Sequence, residues 1–231
     1  MLKLMKLELK KFSIGWYMNG AVIATLLMAL IISFLPYIVG KVEGEVMFQD
    51  YSEAFRAITT AQSSIFIIFA AVLISKWIIE EYKFKTITVL FTYPVSRKKL
   101  MIAKLLLIVS LTFVTILLST LFVTIAYLAV DKFLYGFSGE LTEQLLLTQL
   151  VTIVISSIAA SGISMIPLFF GMLKKSVPIT IVSSLIVVSI LGFDTNQIEL
   201  SQIIAIPITF WIIGILFAYL AVRKADREEL I

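Results

Sequence analysis

Along the chain, long apolar stretches alternate with short charged ones. Crossing a hydrocarbon core of roughly 30 Å takes about 20 apolar residues. Six stretches qualify or nearly so: about Trp16–Val39, Ala57–Ile79, Leu100–Val130, Leu145–Met172, Val177–Phe193 and Ser201–Val222. None has an Asp or Glu in its interior, and Lys76 and Lys104 fall near ends, where a lysine snorkels to the interface. The fifth stretch, at 1.5 Å per helical residue, reaches only about 25 Å. Pro207 stands early in the sixth, so the linker Asp194–Leu200 is expected to dip back into the outer leaflet. Non-helical backbone at that depth needs cover from protein or a water-lined cavity. The pattern predicts an all-α membrane protein of one domain, residues 1–231, with six transmembrane helices. A helix lying in the interface over 1–15 precedes them, and a short cytoplasmic helix lies within 80–99.

Composition agrees. The chain is 60% hydrophobic and 15% charged, with a mean hydropathy of +1.05, against roughly 25% charged residues in soluble domains. It has no cysteine and no histidine. That excludes disulfides, thiolate chemistry and the usual general base at neutral pH. The first apolar run is read as a retained span, because no small-residue cleavage pattern follows it. Charge then orients the spans. Sixteen of the nineteen Lys and Arg residues fall before the first span, around 80–104, in the Lys174–Lys175 turn or in the tail, while nine of the fifteen acids fall on the other side. The positive-inside rule places both termini and the 80–104 segment in the cytoplasm.

Several local features carry two readings. In Met1–Ile14, Lys3, Lys6 and Lys10 share one helical face, with Leu2, Leu4, Met5, Leu9 and Phe12 opposite. That suits a helix on anionic lipid; a frayed basic flank that only sets topology is the plainer alternative. Small residues crowd the fourth stretch, and Ser157/Ser161 and Ala160/Ser164 are small-xxx-small pairs that let helices approach closely. Thr112, Thr115 and Ser119 form a polar stripe on the third. Both stripes read as packing or as the edge of a cavity. The acidic loop Lys41–Arg56 reads as a solvated surface.

The segment Glu80–Lys104 is the most specific. Glu80 and Glu81 sit where the second stretch ends, and carboxylates at a helix C-terminus oppose its dipole by about 0.3–1 kcal/mol. Ser96 is a plausible N-cap after Pro94, which puts Arg97, Lys98 and Lys99 in a first turn, again the wrong sign. Glu80 or Glu81 is expected to pair with a base from Arg97–Lys99 or from a partner. Alternatively, the second helix runs past Glu81. Phe84, Ile87 and Phe91, with Leu90 beside them, fall at helical spacing and suggest a docking helix.

These residues resemble the permease subunits of ABC-2 type transporters. There the stretch reads roughly Glu-x-x-x-Gly-Thr, an apolar run, then Pro-Val-Ser-Arg, with a lysine as the third span begins. Here Glu81 and Thr86 take the acid and threonine places, Pro94, Val95, Ser96 and Arg97 match directly, and Lys104 supplies the lysine. Lys85 replaces the usual glycine. The resemblance implies a coupling helix seated on an ATP-binding subunit, with Glu80, Glu81, Phe84, Thr86, Ile87, Leu90, Pro94, Ser96 and Arg97 at the contact. It implies two ATPase copies and a second permease, identical or homologous. ATP and Mg would belong to the partner, because this chain lacks a G-x-x-x-x-G-K-[ST] loop. No catalysis, metal or nucleic-acid binding is expected of the chain itself.

Two rivals are set aside. An ion-coupled transporter carries ionisable groups at mid-membrane, and intramembrane proteases of the prenyl-protein type need histidine. A non-transporting scaffold or immunity protein stays open. The expected cargo is hydrophobic or amphipathic, with a peptide, toxin or antibiotic favoured over a drug, lipid or sodium ion.

Overall fold

The computed structural model describes residues 5, 8, 9, 14–42, 47, 48, 50–84, 97–134, 141–192, 194, 195, 198, 199 and 205–227. These are mainly helical. Helix α1 spans Ile14–Val42. Helix α2, Tyr51–Ile74, runs without a break through a π-helical turn, Ser75–Ile79, into α3, Glu80–Lys83. Then come α4 (Arg97–Leu134), α5 (Glu143–Ile163), α6 (Ile166–Lys174), α7 (Val177–Leu191) and α8 (Ala205–Arg227). Between α7 and α8, β1 (Asp194–Thr195) and β2 (Ile198–Glu199) pair antiparallel, Asp194 opposite Glu199. The described part of that linker therefore satisfies some of its backbone internally, as non-helical backbone near lipid must.

Among the described residues, four stretches are long and apolar enough to cross a membrane: Gly15–Val42, Tyr51–Lys83, Lys98–Lys132 and Glu143–Lys174. Val177–Leu191 is a shorter apolar helix. The sixth predicted stretch falls on α8. The helices face outward with apolar side chains: Val22, Ile23, Leu27, Leu118, Ile125, Leu147 and Val151 are all about half exposed. Hydroxyls are turned inward. Thr112, Ser157, Ser164, Thr180 and Ser184 are buried, and each returns its proton to a carbonyl three or four residues back in its own chain. This satisfies the donor where no water is available.

The core is a column of three clusters along antiparallel α2 and α4. Trp77, Ile78, Leu107 and Ile108 pack with Tyr17, Leu168 and Met172 at one end. Phe66, Ile67 and Ile116 meet Ala21, Ile163 and Val187 in the middle. Phe55, Ile58, Val123 and Tyr127 meet Ala29 and Ile32 at the other end.

Two helix crossings are too close for a side chain. A β-carbon at Gly214 would stand 2.2 Å from the Gly162 carbonyl oxygen, and one at Gly162 would stand 2.0 Å from the Trp211 ring. A β-carbon at Gly171 would meet the Thr180 hydroxyl at 2.1 Å, which locks α6 against α7.

Two expectations need correction. The third helix continues to Leu134, so Asp131 lies inside it, 3% exposed. Its Oδ2 accepts a 2.6 Å hydrogen bond from the Tyr51 hydroxyl, and among the described residues its Oδ1 has no hydrogen-bond partner. Replacing Tyr51 with Phe would leave this carboxylate buried without that donor. The expected loss is about 1–3 kcal/mol, read as a lowered unfolding temperature in detergent. The fourth stretch is long enough to span, as expected, but its winding is interrupted. It breaks at Ser164–Met165 and restarts at Ile166. Pro167 fits a break there: it has no N–H to bond the Ile163 carbonyl, and its ring crowds that oxygen, while the start of a new helix tolerates it.

Candidate functional site

Lys104 is the centre of the polar interior. It projects from the third turn of α4 and is only 2% exposed. Sequence alone suggests that it snorkels to the interface; instead its ammonium turns into the protein. Nζ donates to the Trp77 carbonyl at 3.0 Å and to Glu81 Oε2 in a short hydrogen bond. Glu8 Oε2 lies 3.6 Å away, within ion-pair reach but without a hydrogen bond. Glu8 and Glu81 are themselves buried.

The backbone explains the carbonyl. In the π turn the Glu80 N–H bonds back to Ser75 O, five residues away. That widening disturbs the usual four-residue ladder, and the Trp77 oxygen takes its proton from Lys104. The node therefore joins three pieces of chain. One is the end of the α2–α3 rod, another is the start of α4, and the third is the N-terminal segment, whose Met5 and Leu9 pack on the same cluster. Among the described residues, one ammonium faces two carboxylates.

Its depth is tolerable. Between Lys104 and Asp131 no residue is charged, and that stretch covers roughly 39 Å of helix, more than the ~30 Å core. The buried charges thus sit at the two margins, not at mid-membrane.

Of the residues singled out by sequence, Glu81 is buried under Lys104, Glu80 is half-buried and Phe84 is 66% exposed. Lys104 is a base for Glu81, and the second helix also runs past Glu81, to Lys83. Thr86, Ile87, Leu90, Pro94 and Ser96, with Lys3, Lys6 and Lys10, lie outside the described residues, as does the Arg97 side chain. Thr112, Ser119, Ser157 and Ser161 are buried and bonded to their own helices, and Thr115 shares a 3.2 Å contact with the Tyr17 hydroxyl. Lys76 is exposed, with its ammonium 3.9 Å above the Trp16 ring.

Sequence reasoning passed over Glu8. The signal was there: Met5, Leu9 and Phe12 define the apolar face, and position 8 falls on it.

A second feature is a half-open groove of about 940 Å³ between α2 and α5. Ser52, Arg56, Thr59, Thr60, Ser63 and Ser64 line one side, and Thr148, Gln149, Thr152 and Ser156 the other.

Apolar helices around a hydroxyl-rich, charge-margined interior define an integral membrane protein. Residues 4–193 match the family model described as ABC-2 family transporter protein; the chain belongs to the ABC-2 transporter family, as a permease-type membrane protein. It is 40% identical over 228 residues, 99% of this chain and 100% of the other, to "Uncharacterized protein YcbO" of Bacillus subtilis (strain 168). No solved structure matches it significantly.

Proposed function

We propose that this chain is the permease subunit of an ATP-driven exporter, working with two copies of a separate ATP-binding subunit and a second permease copy or homologue. The Lys104 node is the observation that carries the reading. It ties Glu81, just before the 85–96 segment, to Lys104, just after it. A partner pressing on that segment would move α2 and α4 together, because their roots are fastened to each other. In this reading 80–104 is the coupling element, Phe84 and the Thr86–Leu90 stretch face the ATPase, and Lys3, Lys6 and Lys10 rest on anionic lipid. The lysine and arginine distribution supports six spans with both termini cytoplasmic. ATP and Mg act on the partner. The cargo is hydrophobic or amphipathic, a peptide, toxin or antibiotic, because the buried charges lie at the margins and leave the centre lined by hydroxyl and apolar groups.

The test is reconstitution with candidate ATP-binding subunits from the same genome. The expected result is co-purification and a several-fold rise in ATP turnover, lost in Thr86→Arg while the variant permease still inserts. An ATPase that neither co-purifies nor responds would favour the scaffold reading.

A further inference from the structure

We propose that the middle of the bundle binds water: a hydration site between Gln62 of α2 and Thr120 of α4, in the layer that separates two apolar clusters.

Gln62 is 0% exposed, and among the described residues neither its Oε1 nor its Nε2 has a hydrogen-bond partner. Thr120 is also buried, and its Oγ1 has no partner either. The two stand level. Phe66 and Ile67 share a cluster with Ile116, and Phe55 and Ile58 share the next one with Val123 and Tyr127. On antiparallel helices that register sets position 62 opposite position 120, where one cluster ends and the other begins. Gln62 lies roughly 16 Å along α2 from Tyr51, near the middle of a ~30 Å hydrocarbon core. Lipid offers no hydrogen bond at that depth.

The hydroxyls around them are already engaged. Thr59, Ser119 and Thr124 each donate to a carbonyl of their own helix, the usual outlet for a buried hydroxyl. Thr120 lacks that outlet for a visible reason. Its carbonyl four residues back, Ile116 O, already accepts from Ser119. The Thr120 hydroxyl is left for a partner outside its own helix.

The inventory of donors and acceptors names the partner. The Gln62 amide brings two N–H donors and one acceptor oxygen, and the Thr120 hydroxyl brings one of each. A metal cation would use the oxygens and strand the amide N–H groups. An anion would use the N–H groups and strand Oε1. Water donates and accepts, so it serves both, and buried groups of this kind are where internal water binds.

This inference rests on the bundle interior and does not depend on coupling to an ATPase, so either can fail alone. The test is X-ray radiolytic footprinting of the full chain in nanodiscs, in which hydroxyl radicals made from a bound water oxidise the side chains beside it. Phe66 is the reporter: it is fully buried and stands one turn from Gln62 on the same helix face. It should gain oxygen in the parent protein. The double variant Gln62→Leu, Thr120→Val replaces both polar groups with apolar ones of similar shape, a change that folds tolerate well. It should lower the Phe66 rate several-fold while oxidation of the exposed Met47 stays the same. Gln62→Met, which keeps the side-chain length and drops only the amide, gives the same comparison independently. A parent protein whose Phe66 stays unoxidised would overturn the proposal, because Gln62 and Thr120 would then bond each other in a dry core. Equal Phe66 oxidation in the parent and in both variants would overturn it too, because these two residues would not be what holds the water.

Discussion

Replacing Lys104 with methionine is expected to be the most damaging single change in the protein. Methionine fits the volume but takes away the ammonium that lies against both buried carboxylates, Glu81 and Glu8. Removing one partner of a buried pair costs about 3–5 kcal/mol, a large share of the total stability of a typical domain. The variant should unfold at a much lower temperature in detergent and yield little monodisperse protein. Glu81→Gln should be milder, since Lys104 keeps the Trp77 carbonyl and the nearby Glu8. Glu8→Gln keeps the Lys104–Glu81 hydrogen bond and loses only a 3.6 Å ion pair, so its cost should be the smallest of the three. A Lys104→Met protein that melts with the parent would show that the ammonium is solvated and that the node does not brace the chain.

Gly214→Ala is expected to come second. One added methyl would stand 2.2 Å from the Gly162 carbonyl oxygen, and a backbone atom of a packed helix cannot swing aside. Helix α8 must then move away from α5, at a loss of about 1–3 kcal/mol, as for other overpacked contacts. Gly162→Ala meets the Trp211 ring instead, a side chain with rotamers to spare, so its loss should be smaller. Unfolding temperatures of the two variants give the order directly; equal values would mean that the backbone contact is not what holds α8.

These two sites show what could and could not be read from sequence. Helix positions were legible, because long apolar runs in lipid have one backbone solution. So was the close packing of the Ser156–Ser164 region. Its partner was not: the small residues signal a near approach without saying to what, and the contact runs through Gly214, fifty-odd residues on. The node was half legible. Glu81 and Lys104 stood out as motif positions, but whether a lysine near a span end snorkels or buries depends on distant groups, here Glu8. Asp131 was missed because a span read by hydropathy stops at its first charge, whereas a helix need not. The contact face on residues 85–96 rests on resemblance.

The rod from Tyr51 to Lys83 is 33 residues long, or about 50 Å. Its last turns hold the carboxylate of the Lys104 node, and its first turns form one wall of the Arg56 groove. A rigid object of that kind needs no chain of intermediate residues to carry news from end to end: a tilt at one end is a tilt at the other. The π turn is the one place along it where the winding departs from α-helix, and it lies beside the node. Twist introduced at the node would be absorbed there, while tilt would pass through, so the groove wall would open or close without rotating its hydroxyls out of place.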